Sequence, residues 1–398
     1  LLSRTALTLT VMKLLHTADW HAGRNLHGVD RTSEIREALN EVAELAKAEA
    51  VDLVVVAGDV YDNRNPSAAA EDAVYDFFLE IAQAGIPSVV IAGNHDSPQR
   101  LDAVGNLLKL AGVHVVGNFR PAGAGGAFDL YAGGEHVRIA ALPFLSERRM
   151  LAAGDLLEKA PGEQHDHYRG VMRKLVDNLT GGMDASSVNL LLMHTTFEGA
   201  TLANSEYVFH STNAYTVPAS IVPDGVSYAA LGHIHKPQAV MGLAENKARY
   251  PGSLLQLDFG EAGEPRSVVI AEMTAGRQAQ YRLHGLSAGR QLKRVVVAED
   301  ELERRVSELA GFPGWLKLVL RLERPRPGLK ERLQAEMPNL LAVEQQLPGE
   351  PDDFGEASDP QALSLVDSYR DYLRSERGVD GQEDLIKLFE ELHEEVAS

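Results

Sequence analysis

Apolar and polar positions in the first half of the chain fall into alternating blocks that predict layered α/β structure. "KLLHTA" (13–18) reads as a short strand, and 31–49 has the apolar spacing of an amphipathic helix. "VDLVVVAGD" (51–59) is apolar without interruption, as a strand buried on both faces must be. A second helix is predicted over 67–83, and "IPSVVIAGNHD" (86–96) repeats the step from strand to loop. Further strands are expected at "VHVVG" (113–117), "VRIAALP" (137–143), "VNLLLMH" (188–194), "VSYAALGH" (226–233) and "SVVIAEM" (267–273).

The pattern changes around 285–292. A compact β-α-β-α-β series follows: "LKRVVVA" (292–298), "EDELERRVSELA" (299–310), "WLKLVLRLE" (315–323), "LKERLQAE" (329–336) and "LLAVEQQL" (340–347). We therefore expect a main domain over 12–285 and a small α+β domain over 286–347. The Pro/Gly-rich "PGEPDDFGEASDP" makes 348–360 a linker. Two amphipathic helices are expected within 361–398. The second carries Leu385, Leu388, Phe389 and Leu392 as one apolar stripe, free to dock on this chain or on a partner.

Composition narrows the chemistry. The 398 residues are 44% hydrophobic and 24% charged, as in globular domains, and no apolar run reaches the roughly 20 residues of a membrane span. The apolar N-terminal stretch has one arginine and no small-residue cleavage site, so Met12 is the expected natural start and the cytoplasm the default address. With no cysteine, disulfides, thiolate metal sites and cysteine nucleophiles are excluded. The net charge of −19 is uneven: residues 350–398 hold 15 acidic and 4 basic residues, leaving only −8 on the rest. A nearly neutral body with the basic cluster "RLERPRPGLKERL" (321–333) neither requires nor excludes a polyanionic partner.

The candidate chemistry sits in five segments, each just after an apolar strand, where α/β proteins place their sites. They are "TADWH" with Asp19 and His21, "AGDVYD" with Asp59 and Asp62, "AGNHD" with Asn94, His95 and Asp96, "LMHTTF" with His194, and "LGHIHK" with His233 and His235. In extended chain His233 and His235 share a side and can converge on one point. Mixed nitrogen and oxygen donors suit Mn²⁺, Fe²⁺ or Zn²⁺ better than Mg²⁺ or Ca²⁺. Two such ions about 3.5–4 Å apart can hold a hydroxide and clamp a phosphate, and the segments suffice if one Asp bridges. Asp62 reads as a turn or supporting residue, and His16, inside the first strand, as a buried, hydrogen-bonded histidine.

The order D-x-H, G-D-x-x-D, G-N-H-D, H, G-H-x-H resembles the calcineurin-like metallophosphoesterase superfamily. The flanks "KLLHTADWHAGRNLHG", "GDVYDNRNPS", "AGNHDSPQRL", "ALGHIHKPQ" and "YPGSLLQLDFGE" narrow the resemblance to the bacterial SbcD nucleases over roughly 12–285. That resemblance implies a four-layer α/β/β/α sandwich with a DNA-capping small domain. It implies two Mn²⁺ per subunit, one on Asp19, His21, Asp59 and His235, the other on Asp59, Asn94, His194 and His233. His95 would act on the leaving oxygen, oriented by Asp96.

DNA ends and hairpins are the implied substrates. The implied partner is an SbcC-type coiled-coil ATPase gripped by the C-terminal helices, in a heterotetramer containing a nuclease homodimer. The chain has no Gly-Lys dipeptide and so no phosphate loop of its own, which places any ATP-driven step on another subunit. Asn63 and Arg64 are candidates for DNA phosphate contact. Helices near 67–83 and 99–111 are candidates for the dimer surface. Two other readings stay open on the motifs: a small-molecule phosphoesterase with the same site, and a non-catalytic DNA-end scaffold.

Overall fold

The computed structural model describes residues 11–145, 161–203 and 216–348. The N-terminal stretch, the linker beyond Pro348 and the C-terminal helices with Leu385, Leu388, Phe389 and Leu392 lie outside the described residues.

One six-stranded sheet contains β1 (Met12–Thr17), β4 (Leu53–Ala57), β5 (Ser88–Ile91), β6 (Val113–Val116), β15 (Ser267–Met273) and β16 (Gln280–Gly285). Its order is β16-β15-β1-β4-β5-β6, with β15 antiparallel to both neighbours and the rest parallel. The second contains β7 (Ala127–Ala132), β8 (Glu135–Leu142), β9 (Val188–His194), β12 (Tyr228–Gly232), β13 (Gln238–Ala239) and β14 (Ala248–Tyr250), in the order β13-β14-β12-β9-β8-β7. Two short pairs complete this part, β2 (Asn25–Leu26) with β3 (Val29–Asp30), and β10 (Thr196–Phe197) with β11 (Thr216–Val217).

Strand alternation produces the layers. Leu14, Leu53 and Val55 point between the sheets, against Val137, Leu190 and Leu192. Their chain neighbours Leu15, Val54 and Val56 point outward, under helices α1 (Thr32–Ala48) and α2 (Ala68–Gln83). Both faces of β4 are thus buried, which is why its sequence is apolar throughout. Each such valine contributes about 1.5–3 kcal/mol by leaving water. The helix α3 (Pro98–Leu108) shares the outer face of the first sheet, and α4 (Pro161–Thr180) covers the second sheet with Met172, Val176 and Leu179. The result is helix, sheet, sheet, helix.

Two helices start directly behind metal-type loops. The Ser67 side chain caps α2 by accepting from the Ala70 N–H, and Ser97 caps α3 from Arg100, with Pro98 in its first turn. These caps fix where the preceding loops end.

The third sheet is all parallel, in the order β17 (Leu292–Ala298), β18 (Trp315–Arg321), β19 (Leu340–Gln346), crossed by α5 (Leu302–Leu309) and α6 (Leu329–Glu336). It has its own apolar core, including Val297, Leu318, Leu320, Leu333 and Met337. A smaller cluster of Leu26, Phe259, Leu292 and Leu341 joins it to the main body.

Candidate metal centre

The five motif loops meet at the strand ends between the two sheets. Backbone bonds zip the first two together: Asp19 N–H to Gly58 O, His21 N–H to Asp59 O and Ala22 N–H to Val60 O, each 3.0 Å. Trp20, between Asp19 and His21, is fully buried against Phe77 and Phe78 of α2 and anchors that turn. Asp19, His21, Asp59 and His233 have φ of 52°, 47°, 49° and 104°. Such strain, roughly 1–3 kcal/mol each, persists where surrounding structure enforces it and clusters at functional sites. Gly93 must lack a side chain because a Cβ there would collide with the Asp59 carboxylate.

The outer ring nitrogens determine what the inner ones can do. His194 donates from Nδ1 to the Ala57 carbonyl, 2.8 Å away, which can only accept. His21 Nδ1 lies 3.2 Å from Asp62 Oδ1, and His235 Nδ1 lies 2.8 Å from Glu261 Oε1. All three rings therefore turn an Nε2 lone pair inward. His21 Nε2 and His235 Nε2 face each other at 3.2 Å. His194 Nε2 faces Asn94 Oδ1 at 3.0 Å and Asp59 Oδ2 at 3.4 Å. Lone pairs directed at one another in a buried site require a proton or a cation between them.

The carboxylates give the same answer. Burial, reinforced by Asp59, pushes Asp19 up to about 7, with His194 and His235 pulling against it. Burial also opposes the Asp59 charge, but His194, His95 and His21 outweigh it and hold Asp59 well below the usual range. Burial lowers His194, yet Asp59 and Asp19 overcome it and raise the ring to about 9. Donor atoms group as Asp19, His21 and His235; as His21, Asp59 and His95; and as Asp59, His194 and His233. Asp59 is shared by the last two, and Asn94 Oδ1 adds to the last, 2.9 Å from His233 Nδ1. This hard-oxygen and imidazole set, without sulfur, suits a pair of first-row divalent ions.

His233 and His235 do not converge on one point. The strand β12 stops at Gly232, and the positive φ of His233 turns the chain, so the two rings join different groups. His95 is only partly buried, its ring 4.7 Å from that of His21, and its Nδ1 lies 2.8 Å from the Asp62 carbonyl.

The expectation that Asp96 orients the His95 ring needs correcting. Its carboxylate accepts three backbone N–H bonds, from Gly93 at 2.8 Å, Tyr61 at 2.9 Å and Val60 at 3.2 Å, and so clamps the second motif loop to the third. Asp62, which also takes Arg24 Nη1 at 3.1 Å, supports His21. Asn63 turns its Oδ1 back onto the Asn65 N–H, while Arg64 is exposed. His16 is buried between Tyr228 Oη at 3.0 Å and Leu231 O at 3.1 Å. Glu261, which ends the "YPGSLLQLDFGE" stretch, and the ring of Phe144, stacked 6.3 Å from His233, join the site although neither is among the expected site residues.

The calcineurin-like phosphoesterase family model matches residues 12–237. The chain is 32% identical over 389 residues to the SbcD subunit of the nuclease SbcCD from Bacillus subtilis (strain 168), covering 96% of this chain and 97% of that protein. It is 31% identical over 282 residues to the SbcD subunit of the same nuclease from Rhodobacter capsulatus, covering 68% of each. A solved dimetal phosphatase from Danio rerio overlaps 68% of this chain and 98% of its own, at 12% identity and a TM-score of 0.39. The chain belongs to the calcineurin-like phosphoesterase family and, within it, to the SbcD-type nuclease subunits.

Proposed function

We propose that the chain is a manganese-dependent DNA nuclease that hydrolyses phosphodiesters at duplex ends and in hairpins or single strands. In this reading it is the nuclease subunit of an SbcC–SbcD type complex in double-strand-break repair and recombination, working in the cytoplasm at the nucleoid. The observation that carries it is the set of imidazole lone pairs directed inward around Asp59, in a chain spanning 97% of an SbcD relative. Two divalent ions held there would supply Lewis acidity toward phosphate oxygens and a water of lowered pKa.

The chain's own residues do the rest. Asp19, His21, Asp59 and His235 hold one ion; Asp59, Asn94, His194 and His233 hold the other, with Asp59 shared. Asp62, Ala57 and Glu261 fix the three ring tautomers. His95, partly exposed, protonates the departing oxygen or stabilises its charge. Asn63 and Arg64 meet the DNA backbone beside it, and the small domain over 286–347 caps the bound DNA. The segment over 361–398 grips the ATPase coiled coil, and helices near 67–83 and 99–111 form the homodimer surface.

The test is cleavage of end-labelled duplex and hairpin DNA in Mn²⁺, Mg²⁺ or EDTA, with bis-(p-nitrophenyl) phosphate in parallel. Shortening of the DNA in Mn²⁺ alone or best supports the nuclease. Dye hydrolysis with intact DNA, unchanged when the ATPase partner and ATP are added, contradicts it and favours a small-molecule phosphoesterase.

A further inference from the structure

Residues 256–261 connect the small domain to one half of the metal centre. On the metal side, Glu261 is buried, with Oε1 at 2.8 Å from His235 Nδ1 and Oε2 accepting the Leu257 N–H at 2.7 Å. The Leu257 carbonyl takes Arg24 Nε at 3.4 Å, Arg24 Nη1 reaches Asp62 Oδ1 at 3.1 Å, and Asp62 holds His21 Nδ1. Both imidazoles whose Nε2 atoms face each other are therefore oriented from the same short segment. On the other side, Gln256 Oε1 accepts the Leu292 N–H at 2.7 Å, at the first residue of β17. Phe259 packs with Leu292 and Leu341 of the small domain. In the second group, His194 is braced elsewhere, by the Ala57 carbonyl.

We infer that Glu261 and Phe259 are positioning residues, through which the seating of the small domain sets the affinity of the Asp19–His21–His235 site alone. This inference rests on the two-ion reading above. Glu261 keeps the proton on His235 Nδ1 so that Nε2 stays a donor to the ion. Phe259 holds the segment that carries Glu261 in register with the small domain. Removing an outer partner of a ligand of this kind costs about 10–100-fold in metal affinity.

The test is Mn²⁺ titration of the full chain, followed by calorimetry and by the paramagnetic resonance signal of a coupled Mn²⁺ pair. The wild type should bind two ions. Glu261→Ala and Phe259→Ala should keep one ion at wild-type affinity and weaken the other about 10–100-fold, with the coupled signal replaced by that of isolated Mn²⁺ at limiting metal. Phe259→Leu should restore the pair, and Leu341→Ala, made on the small-domain side, should weaken the same ion to a lesser degree. Glu264→Ala, in the next turn and bonded to Lys236, should change neither ion. Equal weakening of both ions in the Glu261 and Phe259 variants, or none, overturns the inference while leaving the two-ion reading intact. A wild type that binds fewer than two ions overturns both. Should Glu261→Ala fail to fold, the Leu341→Ala and Phe259→Leu pair decides.

Discussion

At the scale of single residues, the site is defined by which nitrogen of each histidine is occupied. His95 differs from the other histidines of the site in being only partly buried, with its Nδ1 paired to the Asp62 carbonyl. His95→Gln should keep two ions and DNA binding but lower cleavage by about 10²–10⁴-fold, measured as the single-turnover rate on labelled duplex. Undiminished cleavage would remove His95 from the mechanism. Gly93→Ala drives a methyl into the Asp59 carboxylate and should abolish binding of the ion pair, read as metal content after gel filtration. The candidate donor residues themselves are legible because each follows an apolar strand in a fixed order. The role of Glu261 is not: the "YPGSLLQLDFGE" stretch ends on it, but its partner His235 lies 26 residues away and the stretch does not say what the carboxylate touches. The role of Asp96 is hidden for a related reason: adjacency to His95 in sequence says nothing about where the carboxylate points.

At the scale of elements, the buried strands are readable and the exposed ones are not. The strands β4, β9 and β15 are apolar along nearly their whole length, and the expected 188–194 and 267–273 coincide with β9 and β15. The edge strand β16, "QYRLHG", is mostly exposed and polar, so its sequence has no period to read. The pairing of β15 against β1 is equally invisible, since it joins residues some 250 positions apart.

The strand β1 also carries an acid-sensitive group. Burial lowers His16 from 6.5 to about 3, with the Leu231 carbonyl resisting. Because the folded value is depressed, its contribution to stability is present above pH 6.5 and lost as pH falls from there toward 3. In EDTA the urea midpoint should drop across that window, and His16→Gln should flatten the drop while starting from a lower midpoint at about pH 8. An equal slope in the variant would place the acid sensitivity elsewhere. Asp96→Asn should cost about 1–3 kcal/mol in the same assay, since an amide cannot accept all three loop N–H bonds.

At the scale of the molecule, the third sheet is secured to the two larger ones by a buried polar joint as well as by apolar contact. Arg31 is fully buried and pairs with Glu34 at 2.9 Å, while Glu34 also accepts Trp315 Nε1 at 3.0 Å and the Arg290 N–H at 2.6 Å. Glu34→Ala leaves the Arg31 charge buried without its carboxylate and should destabilise by about 3–5 kcal/mol, measured by urea unfolding. A change under about 1 kcal/mol would mean that the joint relaxes into water. The net charge of −19 gives little guidance to function, since most of it is concentrated beyond residue 349 and bound divalent ions would offset part of the rest. The central claim is that Asp59 stands between two cations. Anomalous scattering from crystals grown with Mn²⁺ tests it most directly. Two peaks about 3.5–4 Å apart, on either side of the Asp59 carboxylate, are the expected result; a single peak, or a pair that leaves Asp59 uncoordinated, would contradict it.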